Sequence, residues 1–205
     1  VKKYLTVAGE IPLKDMTVAD HVDLLSRKKE FSGPIFDIYN DCIRFQSGDV
    51  AKRQYMIHDD AVGIIALRPS EDSWQVLLIH QYRHAPRQLM WEIPAGLCDV
   101  PGEALVNTAA RELAEEAGYG ARQWEQLARF HASAGVSDEM VTIFLARDVF
   151  QLEKIDFERE DEEREISVHW IDITEIRDAI FRGDLTSPAL VVGILAACEK
   201  LVFRA

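Results

Sequence analysis

A chain of 205 residues with 48% hydrophobic residues has enough apolar material for one sizeable core and perhaps a small second lobe, but too little for several domains. Thirty-five acidic against 23 basic side chains give a net charge of −12, which excludes a simple electrostatic grip on nucleic acid or anionic lipid. Three widely spaced cysteines, Cys42, Cys98 and Cys198, form no C-x-x-C pair, and the longest apolar run, Ala189 to Cys198, is too short to span a bilayer, so a cytoplasmic setting is expected.

In chain order, Ile35 to Tyr39 and Ile43 to Phe45 alternate and then break at Gln46-Ser47-Gly48-Asp49, and Arg53 to His58 resumes an extended pattern. They predict a small strand meander, an N-terminal β lobe over residues 1–58, with a second domain over 59–205. Ala61 to Leu67 and Trp74 to Ile79 are β-rich runs joined by Pro69-Ser70-Glu71-Asp72-Ser73, a predicted hairpin. From Glu103 to Ala117 the period becomes helical, with Leu105, Ala109, Leu113 and Ala117 as a buried stripe and Gly118 as a left-handed C-cap. Strands are expected again at Leu127 to Phe130, Met140 to Ala146 and Ile166 to Ile171. Two helices close the chain: Thr174 to Arg182, stopped by Gly183, and one in which Ser187 can N-cap and Pro188 fits the first turn. An α+β fold, a mixed sheet flanked by helices, is the simplest architecture for this order.

The residues with chemistry lie between Gly96 and Gly120. Glu112 and Glu116 stand at i, i+4 with Glu115 between them, Arg111 is adjacent, and no lysine shares the face. Like charges at this spacing each cost about 0.2–0.5 kcal/mol in a helix, so something should offset them. Clustered carboxylates suit hard divalent ions such as Mg²⁺ or Mn²⁺; a plain solvated helix face is the other reading.

Taken together, Gly96, Glu103, Arg111-Glu112-Leu113, Glu115-Glu116, Gly118 and Tyr119 resemble the signature of the Nudix hydrolases, G-x5-E-x7-R-E-U-x-E-E-x-G-U, where U is a bulky aliphatic residue. The chain departs from it twice: the spacing from Gly96 to Glu103 is one residue longer, and the last U is Tyr119. The resemblance implies an α/β/α sandwich with a mixed sheet and metal-dependent attack of water on a diphosphate. It implies Glu112, Glu115 and Glu116 as metal ligands, with the carbonyl of Ala95 as a further one, and Arg111 as the residue that orients the cluster.

Three further segments, Gln81-Tyr82-Arg83, Trp91 to Gly96 and Ser133 to Glu139, are similar to the ADP-ribose pyrophosphatase branch of that family. That likeness implies Arg83 as a phosphate contact and a catalytic base from the acidic run Glu158 to Glu165, where Glu162 matches best and Glu163 next, with Glu139 as a rival base or ribose contact. It also implies a homodimer whose N-terminal lobe offers Phe36 or Tyr39 to stack on the adenine, and Arg53 as a partner-subunit contact. The expected activity is hydrolysis of ADP-ribose to AMP and ribose 5-phosphate. Ala134 replaces the branch's usual proline, so another sugar nucleotide, such as GDP-mannose, or NADH remains open as substrate, as does a non-catalytic nucleotide-sensing module. Residues 96–120 hold five acidic groups and one basic, and residues 153–165 eight and three, so these two clusters carry −9 of the charge of −12.

Overall fold

The computed structural model describes residues 13–153 and 164–202. Three strands come first: β1 (Val22–Ser32), β2 (Phe36–Phe45) and β3 (Val50–His58), paired antiparallel in the order β1-β2-β3. The expected meander is thus present, with β2 running unbroken from Phe36 to Phe45. β1 was not foreseen. Its sequence, VDLLSRKKEFS, has no apolar alternation because almost all of it is exposed.

The remaining strands form one seven-stranded sheet. They are β4 (Ala61–Pro69), β5 (Trp74–Arg83), β6 (Gln88–Glu92), β7 (Ala95–Leu97), β8 (Tyr119–His131), β9 (Met140–Gln151) and β10 (Ser167–Asp172). The order is β10-β5-β4-β9-β8, with β6 on β5 and β7 on β4. β4 and β9 run parallel from Ala61↔Val141 to Ala66↔Ala146, and the other pairs are antiparallel, so the sheet is mixed as expected. β8 begins directly after Gly118, eight residues before the strand anticipated at Leu127; its first half mixes half-buried Tyr119, Ala121 and Trp124 with exposed Arg122 and Gln123 and shows no strict alternation.

Helix α1 (Leu105–Ala117) covers one face, and α2 (Ile173–Arg182) and α3 (Pro188–Val202) cover the other. The period of two divides the sheet cleanly. Val62, Ile64, Ala66, Leu77, Phe144 and Ala146 point to Ala109, Leu113 and Ala117 of α1, whereas Ile65, Leu67, Val76, Leu78, Ile143 and Leu145 meet Ile173, Ile176, Leu190 and Ile194. The fold is therefore an α/β/α sandwich with two cores. Gly118 (φ 75°) and Gly183 (φ 80°) end α1 and α2 in the left-handed conformation. The helix anticipated from Glu103 starts at Leu105, because Glu103 is engaged in a turn in which its N–H donates to the Val100 carbonyl.

The two sheets are stitched by one loop. Met56 N–H donates to Val136 O (2.8 Å), His58 N–H to Asp138 Oδ1 (3.1 Å), and Met140 N–H to Asp60 Oδ1 (3.0 Å).

Candidate active site

On α1 a polar stripe, Thr108, Glu112 and Glu116, runs beside the apolar stripe Ala109, Leu113 and Ala117, displaced by one residue and so by about 100°. All six are buried. The apolar stripe packs under the sheet, which forces its neighbour against β7, whose Ala95 and Gly96 pair with Gly63 and Val62. The Ala95 N–H leaves the β4 ladder and donates to Glu116 Oε2 at 2.8 Å. At Gly96 a side-chain methyl would overlap the Glu112 carboxylate outright, so the backbone of β7 and this carboxylate are in van der Waals contact.

Arg111 ties the cluster together. Its Nη1 donates to Glu112 Oε1 (2.7 Å) and Glu115 Oε2 (3.2 Å), and its Nη2 to Asp99 Oδ1 (3.2 Å), with Glu103 Oε2 3.6 Å away. Glu103 in turn accepts from Thr108 Oγ1 at 2.9 Å. The extra residue between Gly96 and Glu103 is taken up within the loop, and Glu103 still reaches the first turn of the helix. Burial pushes the Glu112 carboxyl up to about 7 against the opposing pull of Arg111, with the Glu115 charge adding to the rise. Arg111 is held above its ordinary value by Glu112 and Glu115 despite the counteracting burial.

This donor set fits a hard divalent ion. Buried carboxylates sit against a backbone that leaves no room for a side chain, and the cluster holds one arginine against five acidic groups. Among the described residues the side chains do not close into a ready-made group of three ligands; Glu112 is turned to Arg111 and Glu116 to Ala95.

The other expected residues lie as follows. Arg83, at the end of β5, makes a two-pronged pair with Glu92 of β6, Nε to Oε1 and Nη2 to Oε2 both at 2.9 Å. Glu139 is half-buried, its N–H donating to Ser137 Oγ, and it precedes β9 at the end of the sheet where Ala61 pairs with Leu97. Arg53 stays within the N-terminal sheet, over the Phe45 ring and donating to Lys52 O. Phe36 packs on Phe31 with ring centres 5.9 Å apart, and Tyr39 stacks on Tyr55 at 6.0 Å. Glu162 and Glu163 lie outside the described residues. Within one chain the structure thus gathers Ala95, Arg111, Glu112, Glu115 and Glu116, and leaves Phe36 and Arg53 in the N-terminal sheet.

Two participants had no assigned role from sequence. Glu92 lies within the Trp91 to Gly96 segment that carries the family likeness, but nothing in a lone glutamate names Arg83 as its partner. Asp99 sits in the loop of altered spacing, and only the geometry shows it reaching Arg111. Two of the histidines pack on an aromatic ring: Trp91 has its ring centre 4.5 Å from that of His80 and 5.0 Å from that of His169.

Comparison with known proteins agrees with this arrangement. Residues 57–188 match the model of the NUDIX domain. The chain is 33% identical over 180 residues to an ADP-ribose pyrophosphatase of Mycobacterium tuberculosis (strain ATCC 25618 / H37Rv), covering 87% of this chain and 84% of that protein. It is 33% identical over 130 residues to an ADP-ribose pyrophosphatase of Bacillus subtilis (strain 168), covering 63% and 68%. In fold it is similar to a crystal structure of an ADP compounds hydrolase, with a TM-score of 0.77 at 20% identity over 93% of this chain and 99% of that one. With the signature residues gathered on α1 and β7 and with relatives of this kind over most of its length, the chain belongs to the Nudix family, as a Nudix hydrolase grouping with the ADP-ribose pyrophosphatases.

Proposed function

We propose that this Nudix hydrolase cleaves the diphosphate of ADP-ribose with water, giving AMP and ribose 5-phosphate. The observation that carries the chemical part is the fit of Glu112 and Glu116 against β7: two buried carboxylates and a backbone with no side chain at Gly96 leave a pocket of negative charge that a cation completes. Glu112, Glu115 and Glu116, with the Ala95 carbonyl, would hold Mg²⁺ or Mn²⁺. A divalent ion there supplies charge neutralisation for the diphosphate and a more acidic water.

The chain's own residues do the rest. Arg111 keeps the glutamates in place through its links to Glu112, Glu115 and Asp99. Arg83 is proposed as a phosphate contact through its cationic guanidinium, which the two-pronged pairing with Glu92 fixes at the strand end. Glu162, with Glu163 next, is proposed on sequence grounds as the base that takes the proton of the attacking water, and Glu139 as a ribose contact. Half-buried Phe36 and exposed Arg53, both in the N-terminal sheet, are proposed to serve the site of a second subunit in a homodimer.

The substrate rests on the relatives' names and the segments shared with them. The test is turnover of ADP-ribose beside GDP-mannose, UDP-glucose and NADH with Mg²⁺ or Mn²⁺, reading AMP release. Preference for ADP-ribose by kcat/KM is expected. A higher kcat/KM on another of the four would reassign the substrate, and no turnover of any would overturn the reading as this enzyme.

A further inference from the structure

The parallel ladder between β4 and β9 ends at Ala66↔Ala146. From Leu67 to Pro69, β4 goes on pairing with β5 on its other edge, while β9 goes on pairing with β8, so the two strands part. Arg147 is the first residue of β9 past that point, opposite Gln123 of β8. It lines two adjoining cavities. One, of about 460 Å³, is bounded by Leu67, Arg68, Pro69, Trp74 and Asp148, and the other, of about 380 Å³, by Gln123, Trp124, Glu125 and Leu145.

Nε and Nη2 of Arg147 are buried and have no hydrogen-bond partner among the described residues. These two nitrogens make up the side edge of the guanidinium, which presents two parallel N–H groups at the spacing of two oxygens of a carboxylate or phosphate. The same edge is filled twice elsewhere in this chain: Arg27 gives Nε and Nη2 to Asp41 at 3.0 and 2.9 Å, and Arg83 gives both to Glu92. At Arg147 the nearby carboxylates are engaged otherwise. Asp148 Oδ2 accepts from Gln123 Nε2 at 2.6 Å, and Glu125 Oε1 pairs with Lys200. A second guanidinium, Arg68, lines the larger cavity.

Buried donors without a partner are costly, and more so on a charged group. A water molecule could serve either nitrogen, but an oxyanion serves both and offsets the charge. We propose that Arg147 anchors a second binding site, for the phosphate or carboxylate group of a small molecule, with Arg68 as its second cation and Trp74 as its apolar wall. The site stands towards the far end of β4 from Gly63, where β7 and the glutamate cluster begin, about 13–20 Å along the strand.

The test uses the full chain labelled with ¹⁵N at arginine and titrated, free of divalent ions and at constant ionic strength, with inorganic phosphate and separately with acetate. The Nε–Hε signal of Arg147, assigned by its loss in Arg147→Lys, is expected to shift saturably with at least one of the two. A response to phosphate alone makes the ligand a phosphate compound, and a response to acetate alone a carboxylate. Phosphate held at the glutamate cluster would move the Arg83 or Arg111 signal and leave Arg147 unmoved. By calorimetry the affinity of the responding anion should fall at least about tenfold in Arg147→Lys, which keeps the charge and loses the fork. An Arg147 signal that moves with neither anion overturns the proposal, as does equal affinity in Arg147→Lys.

Discussion

Glu112 can lie where it does because residue 96 has no side chain. A methyl group there would occupy the space of the carboxylate, so Gly96→Ala has to push Glu112 out or bend β7. Displacing a ligand or its support in a metal site commonly lowers metal affinity or activity by about 10–100-fold. We expect a loss of that order in kcat for Gly96→Ala, and a larger one for Glu112→Gln, with weaker Mg²⁺ binding in both. Glu162→Gln, by contrast, should lower kcat and leave Mg²⁺ affinity nearly unchanged. Calorimetric titration of Mg²⁺ beside kcat separates the two roles, and an equal loss of affinity in Glu162→Gln would remove it as the base. The glutamates and Gly96 were readable in the sequence because their chemistry needs fixed spacings along one helix and the loop before it. Asp99 and Glu92 were not, since each meets its arginine through the fold: Asp99 across a loop, and Glu92 through the β5–β6 pairing that sets Ile79 opposite it.

Among the elements, the amphipathic ones were the most legible. α1 and α2 each bury one face, and its period appears in the residue order; β4 and β5, buried on both faces, appear instead as unbroken apolar β-rich runs. β1 buries little, and the first half of β8 sets Tyr119, Ala121 and Trp124 against the α1 core without strict alternation, so their strand character comes from pairing with β2 and β9. The helix ends made by glycine were legible, Gly118 for α1 and Gly183 for α2, whereas the N-cap of α2 was not, since the residue order places its start at Thr174. Asp172 closes β10 and opens α2, with its Oδ1 accepting from the Thr174 N–H at 2.8 Å and from Thr174 Oγ1 at 2.5 Å. Those bonds, led by the Thr174 hydroxyl, hold the Asp172 carboxyl below its ordinary value. A lowered folded value means that the cap's contribution is complete above the unfolded pKa, near 3.8, and is lost as pH falls through the folded one. Asp172→Ala should therefore cost about 1 kcal/mol at neutral pH, or about 2–4 °C in Tm for a chain of this length. The difference between the two proteins should shrink below pH 4. A gap in Tm that stays constant down to pH 2 would show that the carboxylate charge is not what caps α2.

At the scale of the whole molecule, the two sheets differ in what holds them. The seven-stranded sheet has a core on each face. The three-stranded sheet contributes no residue to either core, and it leaves Leu24, Leu25, Phe31 and Val50 between 41% and 55% exposed. Its internal strength is polar and local: Asp41, buried in β2, accepts both arms of the Arg27 fork and the Tyr55 hydroxyl, and Arg27 lies within 6 Å of the Tyr39 and Tyr55 rings. A three-stranded sheet with exposed apolar residues is marginal unless another surface covers it. Among the described residues its ties to the larger sheet are a few bonds through Val136, Asp138 and Asp60. A second copy of the chain would cover those apolar residues and would bring Phe36 and Arg53 to the neighbouring site, which is the homodimer proposed above. Dimerisation coupled to folding makes stability depend on protein concentration, because only the folded chain associates. Tm should rise as the protein is concentrated over two orders of magnitude, and light scattering should give twice the mass of one chain, 23.3 kDa. Phe31→Asp together with Leu24→Asp should lower the mass to that of a single chain, remove the concentration dependence, and reduce turnover of ADP-ribose although every residue of the glutamate cluster is intact. A chain that is monomeric at all concentrations with full activity would overturn the dimer and confine the site to residues of one subunit.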